Sequence, residues 1–240
     1  MNPSKNGLSS AGKTGVVVVL IVIVLGAAYL IPSLSKGSGS PSATSGSNTN
    51  EDKITGMASL FGDFRQMQVT VDNYDAPDGF VTNASVSYTV LGTGTLNSTK
   101  YTRVEFATVG QSSTVIGWFN STGGIGDVEV LGQARNYTGS GAYELPFIQV
   151  YTNAFGGLVA ITDNSTLLSH LSMTSEGLTS LGPTQVDVTA YALIGRSAPY
   201  DSLTLRIATI PGTNVQLVVY VNEKLSDEST SLVQVTSLTR

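Results

Sequence analysis

The sequence predicts a mainly β protein: a single N-terminal transmembrane helix, then an antiparallel β domain of about nine or ten strands, a half-open barrel or a sandwich, with two or three short helices. Three observations predict it. Residues 15–32, GVVVVLIVIVLGAAYLIP, are an uncharged run of eighteen, long enough to cross the roughly 30 Å hydrocarbon core as a helix. From Met67 onward, apolar residues recur with a period of two over short stretches, the mark of half-buried strands. Between those stretches stand clusters of Gly, Pro, Asp and Asn, at the spacing of hairpins rather than of strand–helix–strand units.

The leader, residues 1–14, carries Lys5 and Lys13 and no acid, and the first acid in the chain is Glu51. By the positive-inside tendency the leader stays in the cytoplasm and the C-terminal part faces outward, as a single-pass protein of the cell membrane. Gly26-Ala27-Ala28 offers small residues where a secretory signal would be cut, while Tyr29-Leu30-Ile31 carries the apolar run past that point, which favours a retained signal-anchor. Upstream, Lys5-Asn6-Gly7 followed by LSSAGKTG and the apolar run resembles the class III signal peptides of archaeal type IV pilins and pilin-like solute-binding proteins. In that family the cut follows the Gly and the helix is kept. The chain departs from it in lacking a Glu near the start of the mature helix. Residues 33–53 form a linker rich in Ser, Gly and Thr, a flexible coil compatible with O-glycosylation. Residues 54–240 make the outer domain.

Composition narrows the function. Three of the 12 cations (Lys5, Lys13 and Lys36) precede Glu51, whereas all 17 acids lie from Glu51 onward, so the outer part carries a net charge of −8. With no basic cluster, such a surface argues against a nucleic-acid partner. The absence of cysteine removes disulfides, thiolate metal sites, Fe–S clusters and a Cys nucleophile together.

Ile54, Met57, Ala58, Phe61 and Phe64 recur at helical spacing and predict a short amphipathic helix. Strands are then expected around Met67–Val71, Val86–Val90, Val104–Phe106, Val115–Phe119 and Val128–Val130. Turns are expected at Asp78-Gly79, Gly92-Thr93-Gly94, Gly123-Gly124 and Gly139-Ser140-Gly141. After Pro146, the residues Phe147, Val150, Tyr151, Phe155, Leu158 and Val159 form a helical stripe, although their β-branched and Gly neighbours also suit a strand. The segment STLLSHLSM, from Ser165 to Met173, reads as a second short helix capped by Asn164-Ser165. Strands resume at Val186–Val188, Leu203–Ile207, Val215–Val221 and Val233–Val235, with a turn at Pro211-Gly212-Thr213-Asn214.

The C-terminal run LGPTQVDVTAYALIG, SLTLRIATIPGTNVQLVVYV and SLVQVTSL, together with this strand order, resembles the lipoprotein-carrier (LolA-like) and LppX-type lipid-binding proteins over residues 54–238. The resemblance implies a curved sheet cupping an apolar cavity that takes lipid acyl chains. It makes Phe61, Phe64, Trp118, Phe147 and Phe155 the candidates to line that cavity; the alternative is that these aromatics are ordinary core. A chain tethered by its own helix departs from carriers that shuttle between membranes.

Five N-x-[ST] sequons, at Asn83, Asn97, Asn120, Asn136 and Asn164, fall in the outer part, where glycosylation could reach them; Asn164 doubles as a helix cap. His170 is the only histidine, and no nucleophile–base–acid pattern surrounds it. Asp72, Asp75 and Asp78 in VDNYDAPDGF lack the spacing of a calcium loop and suit a turn. The sequence therefore calls for no cofactor, metal or catalytic residue. Its first functional expectation is a non-enzymatic, membrane-anchored domain for a lipid or other apolar ligand. The second is a structural or adhesive surface protein, pilin-like or envelope-associated, that contacts other envelope proteins.

Overall fold

All the described strands join one antiparallel sheet. The computed structural model describes residues 54–132, 136–163, 165–195, 199–213 and 215–240, so the expected leader, span and linker lie outside the described residues. The strands are β1 (Gln66–Asp75), β2 (Phe80–Leu96), β3 (Thr99–Thr108), β4 (Thr114–Phe119), β5 (Ile125–Leu131), β6 (Tyr137–Gly139), β7 (Leu171–Leu181), β8 (Thr184–Leu193), β9 (Tyr200–Thr209), β10 (Gln216–Leu225) and β11 (Thr230–Thr239). Among the described residues three helices accompany them: α1 (Met57–Asp63), α2 (Leu145–Asp163) and α3 (Ser165–Ser169).

The strand order is β6-β5-β4-β3-β2-β1-β11-β10-β9-β8-β7. Two meanders thus run outward from a central pair, and the last strand returns to lie beside the first. Period-two burial supports this: Met67, Val69 and Val71 of β1 are buried, as are their cross-strand partners Tyr88, Val86, Val233 and Val235. The single sheet removes the sandwich alternative, and it holds 11 strands rather than nine or ten.

The sheet curls. Thr184, at the tip of the β7–β8 hairpin, donates a hydrogen bond from Oγ1 to the Leu238 carbonyl at 2.6 Å, although β10 and β9 separate β8 from β11 in the sheet. At the same tip Gly182, with φ +59, sits against Ser237 with no room for a Cβ. The edges β6 and β7 do not pair, so the barrel stays open.

Helix α2 packs on the inner face of the sheet against β10, β4 and β5, with Ile148, Val150, Tyr151, Ala154, Phe155, Leu158, Val159 and Ile161 among its buried residues. That is why a segment of Thr, Val and Gly, poor helix formers, is helical here: a helix apolar on nearly every side is stabilised by enclosure, not by propensity. It is long and apolar enough to cross a membrane, yet half of it is buried within the fold. It is fastened on both wings of the sheet. Tyr151 shares a 3.1 Å hydrogen bond with Thr108 of β3. Thr162 Oγ1 donates to the Leu158 carbonyl at 2.7 Å and accepts from the Val218 amide of β10 at 2.8 Å.

Three local expectations change. Gly92-Thr93-Gly94 lies inside β2, where a bulge between Val90 and Gly92 takes up the extra residue. The hairpin turns instead at Asn97 and Ser98, with φ of 49 and 65. The helix expected from Ser165 to Met173 ends at Ser169, and Leu171 opens the edge strand β7.

Candidate functional site

The inner face of the sheet, which α1 and α2 cover, holds two different environments. Around the middle of β2 and β3 the side chains are aromatic. Phe61 meets Tyr88 edge-on at 5.1 Å and Phe119 at 4.8 Å, Tyr88 meets Phe155 at 4.9 Å, and Phe106 stacks on Tyr151 at 5.5 Å. Such edge-to-face and offset pairs add to the burial of the rings. Tyr88 donates its hydroxyl to the Phe64 carbonyl at 3.3 Å, and burial pushes its pKa upward. Tyr151 is raised for the same reason.

This cluster brings together Phe61 and Phe155 from the five expected cavity residues, with Phe64 fully buried beside it through its carbonyl. Phe147 stands apart: it is half-buried and packs on Tyr143, which in turn meets Tyr137. Trp118 is a correction. Cross-strand pairing puts Trp118 opposite Arg103 and Asp127, on the face away from the paired Val104, Gly117 and Val128. There it donates its indole N–H to Glu129 at 2.5 Å and lies under the Arg103 guanidinium at 4.9 Å. Gly117 carries no side chain because Ile148 of α2 and Phe119 occupy the space where one would stand.

The second environment lies at one end of the same face. Met67, Val69 and Val71 lead along β1 to Asn73, which pairs with Thr82 of β2 and Ser231 of β11; Ser231 pairs with Glu223 of β10, and Glu223 with Leu203 of β9. Directly opposed residues share a face, so these form one row, immediately beyond the apolar row Val71, Val233, Val221 and Leu205. Thr82, Ser231 and Glu223 are only 7, 7 and 8% exposed. Both side-chain atoms of Asn73 and the Ser231 hydroxyl are buried without a hydrogen-bond partner, an arrangement native proteins rarely tolerate. Burial raises the Glu223 carboxyl to about 7. Burial, and next the Glu223 charge, raise Tyr200 to about 12.

The sequence held the signal for this row. Asn73, Ser231 and Glu223 each continue a period-two apolar series, Val69–Val71, Val233–Val235 and Val219–Val221, so alternation alone aims them inward. Of the nine large apolar side chains exposed among the described residues, six (Tyr74, Phe80, Val81, Val109, Met173 and Ile194) lie in or beside the β1–β2, β3–β4, α3–β7 and β8–β9 connections, at the same end of the antiparallel sheet, while Leu91, Tyr143 and Leu178 lie elsewhere.

Other expected sites are scattered. Asn83, Asn97 and Asn136 are exposed, on the outer face of β2, in a hairpin turn and before β6. Asn120 is half-buried, and its Oδ1 accepts from the Thr122 amide at 3.0 Å and the Gly124 amide at 2.8 Å, building the β4–β5 turn. Asn164 lies outside the described residues. His170 is exposed after α3. Asp72 and Asp75, three apart on β1, project from opposite faces and do not converge with Asp78.

No family model matches the chain, and no curated protein matches it by sequence. Solved structures do resemble it. LppX from Mycobacterium tuberculosis is similar at 10% identity and a TM-score of 0.31, over 75% of this chain and 89% of its own. A LolA superfamily protein from Nitrosomonas europaea is similar at 10% identity and a TM-score of 0.29, over 72% and 84%. MucB, solved in complex with MucA, is similar at 11% identity and a TM-score of 0.36, over 75% of this chain, which spans 52% of MucB.

Proposed function

We propose that this chain is a membrane-tethered, non-enzymatic binding domain for a lipid-like amphiphile. Residues 15–32 anchor it with residues 54–240 outside the cell, and the ligand's apolar part lies against the inner face of the sheet beside α2. One observation carries the reading: a continuous apolar face ends in a buried, incompletely paired polar row. A core needs no such row, and an amphiphile is complementary to that sequence of environments. The apolar side chains exposed at the same end suit a mouth that meets lipid. Asn83, Asn97 and Asn136 are the sequons open to glycans in a cell that makes them.

A second reading, a structural protein assembling through its sheet, has its own observation: β7 is an unpaired edge of 11 residues with Met173 and Leu178 each 69% exposed, a template for strand addition. One experiment separates them. The full chain is placed in lipid nanodiscs containing a lipid with a photoreactive acyl tail, and labelled peptides are mapped by mass spectrometry alongside sizing. Binding predicts label on α2, β1 and β11 as well as on residues 15–32. Label confined to residues 15–32, in a protein that self-associates, overturns it in favour of assembly.

A further inference from the structure

The polar row also specifies the ligand's polar end, an inference that rests on the binding reading above. We propose that Asn73, Ser231 and Glu223, flanked by Thr82 and Tyr200, take an uncharged, hydroxyl-rich head group of glycosyl or glycerol type. The first ground is hydrogen-bonding capacity. Asn73 offers an unpaired donor, Nδ2, and an unpaired acceptor, Oδ1, and the Ser231 hydroxyl, also unpaired, is both. Hydroxyls donate and accept and satisfy all three; a phosphate only accepts and leaves Asn73 Oδ1 without a donor. Ser231 is itself more than nine-tenths buried and faces this row through its pairing with Asn73 and Glu223.

The second ground is charge. Glu223 is in the row and Asp75 follows Asn73 on the same face of β1. Lys224, adjacent in β10, is exposed on the opposite face. Arg206 lies on the outer face, where it bonds Glu176 at 2.8 Å and covers Tyr220. Among the described residues of the row and its neighbours on the same face, an anionic head group would meet acids and no cation. The third ground is size: four residues on four adjacent strands extend over three strand spacings, about 14 Å, enough for a sugar ring and its glycerol link.

The test uses the full chain in nanodiscs with three lipids at equal mole fraction, identical in tail and photoreactive glycerol tag but bearing a glucosyl, a phosphate or a trimethylammonium head. The expected result is preferential labelling of the β1 and β11 peptides by the glucosyl lipid. Ser231→Ala and Asn73→Leu should each reduce it roughly tenfold, the equivalent of one lost hydrogen bond, while Glu223→Gln, which still donates and accepts, retains it. Preference for the phosphate or the ammonium head overturns the inference. So does labelling indifferent to Ser231→Ala, which would mean that water alone satisfies the row. In both cases the tail-labelling result above still reports whether a lipid binds at all, so the two readings fail separately.

Discussion

Glu223 sits where a strand's alternation would place a valine, and the consequence is a stability that depends on pH. Its folded carboxyl titrates near 7 against an ordinary 4.5, because burial penalises the charged form. The native state therefore holds this proton more tightly than the unfolded chain does. The contribution is fully present below about pH 4.5 and is lost as pH rises through 7, on the order of 3 kcal/mol in all. Glu223→Gln, which stays neutral, should melt several degrees above the wild-type protein at pH 8 and level with it at pH 4.5; an equal offset at both values would contradict the burial argument. In the aromatic cluster, Phe106→Ala should cost about 3–5 kcal/mol in urea unfolding, since Phe106 is fully buried among Phe61, Tyr88, Phe119, Tyr151 and Phe155. Phe61 and Phe155 were legible as buried aromatics from helical spacing. Trp118 was not, because Val115 to Phe119 reads as a continuous apolar run and a run does not say which residue faces which side.

Helix α2 shows how an element can contradict its own propensities and still be well determined. Its fastening to β10 rests on Thr162, whose hydroxyl pairs the Val218 amide at the point where a bulge between Val218 and Tyr220 interrupts the sheet. Thr162→Val keeps the shape and removes that acceptor, leaving a buried N–H unpaired; a loss of about 1–3 kcal/mol in urea unfolding is expected. The β2–β3 hairpin gives the opposite prediction. Asn97 and Ser98 both adopt positive φ, the pattern of a tight hairpin turn that favours Asn followed by Gly. Ser98→Gly should stabilise by about 0.5–1 kcal/mol, read in the same unfolding assay, because it relieves a left-handed residue. It leaves the Asn97 sequon intact. That turn escaped the sequence reading because Gly92 and Gly94 are the stronger turn signal, yet they serve a bulge and the close approach of the Trp118 ring. Strand β7 escaped it because Leu167, Leu168 and Leu171 continue a helical spacing across the true end of α3 at Ser169.

At the scale of the whole molecule, the alternating stretches and their hairpin punctuation were enough to name an antiparallel sheet, since those signals are local. That β11 returns beside β1 was not in the alternation: it depends on pairing across some 160 residues, as between Thr70 and Gln234, which no local signal reports. This closure also fixes where a tether would enter. Ile54 bonds the Gln216 carbonyl at 3.4 Å, at the start of β10, whereas Glu223 lies seven residues further along the strand, about 23 Å away. The polar row thus sits at the end of the sheet opposite Ile54. For the tether proposed above, a coil of the length of residues 33–53 has an end-to-end distance of roughly 25 Å and a stretched reach of roughly 70 Å, so on that proposal the domain can tip the polar row toward the membrane. Deleting residues 35–50 leaves five linker residues, a contour of about 17 Å, too short for that reversal. In nanodiscs with the tail-reactive lipid, the deletion should sharply reduce labelling of α2, β1 and β11 while leaving residues 15–32 labelled, and labelled vesicles added from outside should restore it. Unchanged labelling would mean that the site does not fill from the membrane that holds it.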